Sequence, residues 1–199
     1  MELMAALKKR NISCSFADNR NEALEQVMSR IPKNSTVGIG GSITIKELNI
    51  KKVLKEKGCK IYWHWYKKDI EDSMLIRHKA MIADTYLCST NAITMDGRLV
   101  NIDGTGNRVA SMVFGPKSVL IVIGINKITK NIEAAMKRVK EHACPLNARR
   151  LNLKIPCALT GRCNDCESPN RMCNVTTIIE GKPNGVQMHI IIIDENMGF

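Results

Sequence analysis

Apolar positions along the chain alternate between helical and strand spacing. Ala23, Leu24, Val27, Met28 and Ile31 recur at helical period behind Asn19 and Glu22, a capping pair, and the stripe stops before Pro32. Residues 35–40 read as a short buried strand, and Ile45, Leu48, Val53 and Leu54 return to helical spacing until Gly58. Residues 59–65 are rich in β-formers and supply the next strand. Strand, glycine turn, helix and strand make a βαβ unit, which predicts a parallel sheet with helices packed on it.

Further on, residues 69–82 read as a helix starting at Asp69, and residues 85–89 as a strand. Residues 92–94 and 98–102 flank Met95-Asp96-Gly97, and Asp-Gly between β-formers predicts a hairpin. Asp103-Gly104-Thr105-Gly106 is a second tight turn, followed by a helix over 107–114 and a wholly apolar buried strand over 118–125. Ile132, Ala135, Met136 and Val139 share one face of a long helix, with Lys137, Arg138 and Lys140 elsewhere. From Cys144 the pattern breaks into a loop-rich segment, and the β-runs 175–179 and 187–194 read as a terminal hairpin around Lys182-Pro183-Asn184-Gly185. The expectation is one α/β domain over residues 1–199, with a mostly parallel sheet that has helices packed on it, a C-terminal hairpin and a cysteine-rich excursion at about 144–174.

Composition narrows the class. A chain of 199 residues that is 44% hydrophobic buries a real core, and with aromatics at 4% that core is aliphatic and thioether packing. Thirty Lys and Arg against nineteen Asp and Glu give a formal charge of +11, which attracts small anions or an acidic partner. Eight unevenly spaced cysteines and no apolar leader before Cys14 predict a reducing cytoplasmic setting. No apolar stretch approaches the roughly 20 residues of a membrane-spanning helix.

Three segments carry candidate chemistry. Gly38-Ile39-Gly40-Gly41-Ser42-Ile43-Thr44 lies between a predicted strand and helix, where inward-turned amides suit a phosphate or carboxylate. Its spacing fits neither a dinucleotide fingerprint nor a Walker loop, and the bland alternative is a tight turn with Ser42 as a cap. The run from Ser89 to Arg108 concentrates Thr90, Asn91, Asp96, Gly97, Asp103, Gly104, Thr105 and Asn107. Asp96 and Asp103 are the candidate bases or orienters there, with plain turn chemistry as the alternative. Cys157, Cys163, Cys166 and Cys173 are close enough in sequence to hold one metal, zinc or an iron–sulfur cluster, though bystander thiols are the alternative.

Two features are weaker. Alternation in Tyr62-Trp63-His64-Trp65-Tyr66 puts Tyr62, His64 and Tyr66 on one strand face and both tryptophans on the other, as packing. The basic run from Lys127 to Lys154 reads as mostly a solvated helix face, and with few aromatics to interleave it argues against nucleic acid.

Taken in order, Gly38 to Thr44, Ser89 to Asn107, Gly115-Pro116-Lys117, Gly124-Ile125-Asn126-Lys127, Asn147-Ala148-Arg149 and Gly161 to Cys173 resemble the lactate-utilisation (LUD) domain family, in its protein C or YkgG-like branch. The resemblance covers nearly the whole chain and is most specific from Thr90-Asn91-Ala92 to Asn107. It implies a three-layer α/β sandwich similar to ribose-5-phosphate isomerase, glucosamine-phosphate deaminase and CoA transferases. It also implies a link to oxidation of L-lactate to pyruvate beside iron–sulfur partner proteins. It carries over no catalytic set, and the cysteine segment belongs to a subset of the family.

Two functional readings follow. The first is a cytoplasmic accessory or binding subunit of lactate or 2-hydroxy-acid utilisation, partnered by iron–sulfur oxidoreductase subunits and able to self-associate. Its anion pocket is expected at Gly40, Gly41, Ser42, Asn91, Asp96 and Asp103. The second is a free-standing enzyme on a phosphorylated sugar or CoA ester, with Asp96 or Asp103 as base.

Overall fold

The computed structural model describes residues 2–66 and 70–199. The chain runs through α1 (Glu2–Lys9), β1 (Ser13–Ala17), α2 (Arg20–Arg30), β2 (Thr36–Ile39), α3 (Ile43–Glu47), α4 (Ile50–Glu56) and β3 (Lys60–Trp63). A 3₁₀ turn (His64–Tyr66) and α5 (Ile70–Met81) lead to β4 (Thr85–Cys88), β5 (Ala92–Thr94), β6 (Leu99–Asp103), α6 (Asn107–Val113) and β7 (Ser118–Gly124). Then come β8 (Ile128–Thr129), α7 (Ile132–Arg138), α8 (Cys144–Arg150), α9 (Pro156–Thr160), β9 (Val175–Ile179) and β10 (Gln187–Ile193).

Among the described residues the main sheet has six strands in the order β1-β10-β7-β4-β2-β3, every neighbouring pair parallel. The reason is visible in β7, which sends Leu120 and Val122 into one core and Val119, Ile121 and Ile123 into another. A strand apolar on both faces has to be covered on both. Ala23 and Val27 of α2, Ile45 of α3 and Ile50 and Leu54 of α4 cover the first face. Leu3 and Leu7 of α1, Ala80 of α5 and Met112 of α6 cover the second. The parallel sheet expected from the βαβ pattern is therefore covered on both faces, and the architecture is the three-layer α/β sandwich that the family resemblance implies.

A smaller sheet, β8-β5-β6-β9, joins the second layer through Ile93, Leu99 and Ile179. Its other face packs Ala92, Val100 and Ile102 against Ala135, Val139 and Cys144. The predicted hairpin is there: β5 and β6 pair antiparallel, and Gly97 takes φ +88, open to glycine at little cost. Asn19 caps α2 by accepting the amides of Asn21 and Glu22. The helix predicted through 45–54 is two pieces, broken where Asn49 enters the left-handed region. The start expected for the next helix, Asp69, lies outside the described residues.

The terminal hairpin is corrected. β9 pairs antiparallel with β6 at the edge of the small sheet, whereas β10 lies parallel between β1 and β7 in the main one. Met188 and Ile190 to Ile193 are all buried. A two-stranded hairpin would expose one face of that run, at about 1.5–3 kcal/mol for each side chain, so the central position wins. Half-buried β9, with Thr176 exposed, suits an edge.

The break expected at Cys144 is also corrected. The helix that begins at Ile132 passes through a π-helical turn at Val139–Ala143 and continues to Arg150. Pro145 lacks an amide hydrogen, and the wider turn in front of it absorbs the missing bond without ending the helix. Likewise the strand alternation through Tyr66 fails, because the chain turns at His64. Trp65 stacks on Trp63 at 5.9 Å between centroids, and Tyr66, expected on the opposite face, meets Trp63 edge-on at 5.0 Å.

Candidate functional site

Parallel strands deliver their following loops to one edge of the sheet, and in open α/β sheets that carboxyl edge is where ligands sit. Here it opens into a cleft of about 260 Å³. β2 brings Gly41, Ser42 and Thr44, β3 brings His64 and Trp65, β4 brings Ser89, Thr90 and Asn91, and the chain beyond β7 brings Lys127. From the small-sheet side come Asp103, Gly104, Thr105, Asn107 and Arg108, and from α8 Cys144, Asn147 and Arg150. Arg77, Met172 and Phe199 also line it.

The polar run of the central block is a network organised by Arg108, which is only 8% exposed. Its guanidinium donates to Asp103 Oδ1 at 2.5 and 2.9 Å, to Asn91 Oδ1 at 2.8 Å and to the carbonyls of Ser89 and Ile102 at 3.1 Å. Asp103 also accepts the Val109 amide at 3.1 Å. Asn91 Oδ1 accepts the Ile102 amide, and Thr90 donates to Asn101 Oδ1 at 2.9 Å. Asp103 is thus engaged with a buried cation rather than poised as an unpartnered base. Despite its burial, the guanidinium is held in its charged form by the Asp103 charge and hydrogen bonds.

Lys127, 4% exposed, also lines the cleft, donating to Thr44 Oγ1 at 2.8 Å and Ser89 Oγ at 2.9 Å. Burial first, then the charges of Arg138 and Arg108, pulls its ammonium down to about 7. Burial with Arg77 and Arg150 nearby lowers His64 to about 4, so its imidazole is neutral at pH 7. Arg150 stacks over Trp65 at 4.5 Å from the ring centroid and donates to Asn147 Oδ1 at 2.7 and 2.9 Å. Among the described residues the Nε of Arg77 is buried without a hydrogen-bond partner.

Of the ligand-binding residues read from the sequence, the structure brings together Gly41, Ser42, Thr44, Thr90, Asn91, Asp103, Gly104, Thr105 and Asn107. Gly40, Asp96 and Gly97 are not on the cleft wall. A β-carbon at Gly40 would come within 3.0 Å of the Tyr86 hydroxyl, so that glycine serves packing. Asp96 sits at the hairpin turn, paired with Arg10 at 3.1 Å and Arg98 at 3.2 Å, and Gly97 lies against the backbone of α1. Ser42 caps α3 by accepting the Ile45 amide, and a β-carbon at Gly41 would come within 2.8 Å of Trp65 Nε1.

The basic-run reading is corrected at Lys127, which is buried, and at Arg138, which reaches the carbonyls of Asn126 and Asn91. Lys127, Arg108, Arg150, Arg77 and His64 were not read as site residues. For Lys127 the signal was available: it follows the most apolar strand of the chain, where a parallel sheet places its ligands.

The cysteine segment borders the cleft. Asn174 binds the Asp103 and Gly104 carbonyls, Cys173 packs with Cys144, and Cys157 is buried beside Ala148 and Ile155. Among the described residues no group of three or more His, Cys, Asp or Glu is placed to hold a metal ion as it stands. No helix among them is long and apolar enough to cross a membrane.

No curated protein matches the chain. A solved structure of a DUF162 family protein from Deinococcus radiodurans is similar, with TM-score 0.56 and 11% identity over 96% of this chain and 94% of that one, a likeness of fold. The LUD domain model matches residues 1–193, with the cleft residues from Gly41 to Met172 inside the match, and the chain accordingly belongs to the LUD-domain family.

Proposed function

We propose that the cleft binds a small organic anion, and that the chain does so in lactate or related 2-hydroxy-acid utilisation, in the manner of the protein C branch and beside iron–sulfur oxidoreductase subunits. LUD-family membership supports the link to lactate utilisation. The observation that carries the anion is the charge count of the wall: among the described residues three guanidinium groups, Arg77, Arg108 and Arg150, face one carboxylate, Asp103, already committed to Arg108. His64, neutral at pH 7, adds no charge of its own to that wall. About 260 Å³ is below the roughly 300–1,000 Å³ of drug-sized pockets, which suits an acid of a few carbons better than a CoA ester.

Calorimetric titration with L-lactate, pyruvate, a sugar phosphate and CoA tests this. Lactate or pyruvate is expected to bind, and Arg150→Gln to lose one charged hydrogen bond, about 1.5–3 kcal/mol or at least about tenfold in affinity. Binding of the sugar phosphate or CoA alone would support the free-standing enzyme. No binding of any of the four would leave the cationic wall without this role.

We also propose that Cys157, Cys163, Cys166 and Cys173 close on one metal centre, zinc or iron–sulfur. Arg171 supports it by donating both to the Cys166 carbonyl at 2.9 Å and to Cys173 Sγ at 3.3 Å, which ties two of the four together. The Lys140–Asp165 pair at 3.2 Å fastens the span between Cys163 and Cys166 to the long helix. Binding would draw the loop inward from its present arrangement.

A further inference from the structure

We infer that Lys127 is a nucleophilic amine that forms an imine with the carbonyl carbon of a 2-oxo acid held in the cleft. The inference rests on the anion reading above and adds to it the substrate class and the bond made.

The geometry around Nζ is the basis. Thr44 Oγ1 spends its hydrogen on the Met197 carbonyl at 3.2 Å, and Ser89 Oγ spends its own on the Thr90 carbonyl at 3.4 Å. Both hydroxyls therefore have only lone pairs to offer Lys127, and each accepts one N–H. A neutral amine has two such hydrogens, so both are used and its lone pair is left over. An ammonium would have a third donor, and among the described residues no carboxylate pairs with it. Of the charged and titratable groups that act on Nζ, Arg138 and Arg108 disfavour the proton, whereas Glu47 and Cys88 favour it. The lysine nevertheless lines the cleft, so it is shielded from bulk water yet within reach of a ligand there.

An amine in that state is the arrangement by which lysines condense with carbonyl substrates. The Nζ lone pair attacks the carbonyl carbon, and the carbonyl oxygen takes up a proton to give a carbinolamine. That oxygen then leaves as water with the two hydrogens lost from nitrogen, and a C=N bond remains. No electrons are transferred, so no oxidant or reductant is required. The acid's carboxylate is left for Arg150 or Arg77.

The test uses the full chain with pyruvate and cyanoborohydride, followed by intact mass and peptide mapping. The expected product is a single adduct equal to the mass of pyruvic acid less one oxygen, on Lys127. Labelling there should outpace every other lysine by at least about tenfold, since an exposed amine near its ordinary value is almost wholly protonated at pH 7. Lys127→Arg keeps a long hydrogen-bonding side chain but has no nucleophilic amine, and it should abolish the adduct. Lys127→Met covers the case in which Arg fails to fold, with circular dichroism as the check on both. Ser89→Ala should slow labelling without moving it to another residue. Pyruvate that binds in the calorimeter but leaves Lys127 unlabelled would overturn the imine while sparing the anion reading. If pyruvate neither binds nor labels, the imine falls, and the anion reading falls with it when L-lactate also fails to bind; labelling spread evenly over surface lysines likewise overturns the inference.

Discussion

At the scale of single residues, two aspartates of one polar run have opposite circumstances. Asp103 faces Arg108 with both side chains about one-tenth exposed, whereas Asp96 is half exposed between Arg10 and Arg98. Asp103→Asn leaves a buried guanidinium without its counter-charge and is expected to cost about 3–5 kcal/mol. Asp96→Asn should cost below about 1 kcal/mol. Urea denaturation of the two variants checks this, and equal losses would place the network elsewhere. Lys127 gives a pH signature. Its folded value of about 7 lies below the ordinary value near 10.4, so between them the unfolded chain binds the additional proton. Stability from this group therefore rises with pH across that window, by at most about 1.4 kcal/mol per unit. Lys127→Met has no such proton, so the wild type should gain on it between pH 7 and 9. A constant difference would mean that the amine stays charged in the fold.

At the scale of elements, the long helix with its π turn is the connection between sheet and cysteines. Val139 and Ala135 pack on the small sheet, Arg138 reaches over to Asn91, and Arg150 at the far end of α8 contributes to the cleft. Without the π turn, the residues beyond Pro145 would present a different face, because one added residue turns a helix by about 100°. Arg149 in turn holds α9 by donating to the Ala158 carbonyl at 2.8 Å. The cysteine loop thus hangs from a helix that also carries part of the cleft. Anaerobically purified protein is expected to hold metal at one centre per chain, with Cys166→Ser losing it. An absorption band separates iron–sulfur from zinc. Substoichiometric metal that Cys166→Ser leaves unchanged would make the four residues packed thiols.

At the scale of the whole molecule, the charge of +11 and the cationic cleft act over different ranges. Surface charge is screened beyond a Debye length of about 10 Å at 0.1 M salt, whereas charges enclosed in the cleft are screened less. Pyruvate affinity is therefore expected to fall modestly with added salt, and the affinity of neutral pyruvamide to stay flat. Equal salt dependence for both would mean that the anion's charge is not what the cleft reads.

The sequence by itself determined the elements whose information is local. The Asn19 cap, the Asp-Gly hairpin turn, the apolar run of β7 and the βαβ unit depend on neighbours within a few positions, and each lies where its pattern predicted. Five of the positions expected to bind a ligand, Gly41, Ser42, Thr44, Thr90 and Asn91, also converge on one cleft, because loops after parallel strands share an edge whatever the details. Only tertiary structure decided the rest. β9 and β10 read as partners because they are adjacent in sequence, yet burial of both faces of β10 outweighs the short connection and sends it between β1 and β7. Lys127 and Arg108 look like ordinary surface cations in a basic chain. What sets them apart is removal from water together with their particular partners, Thr44, Ser89, Asn91 and Asp103, and those partners are assembled from segments that only the folded sheet brings side by side.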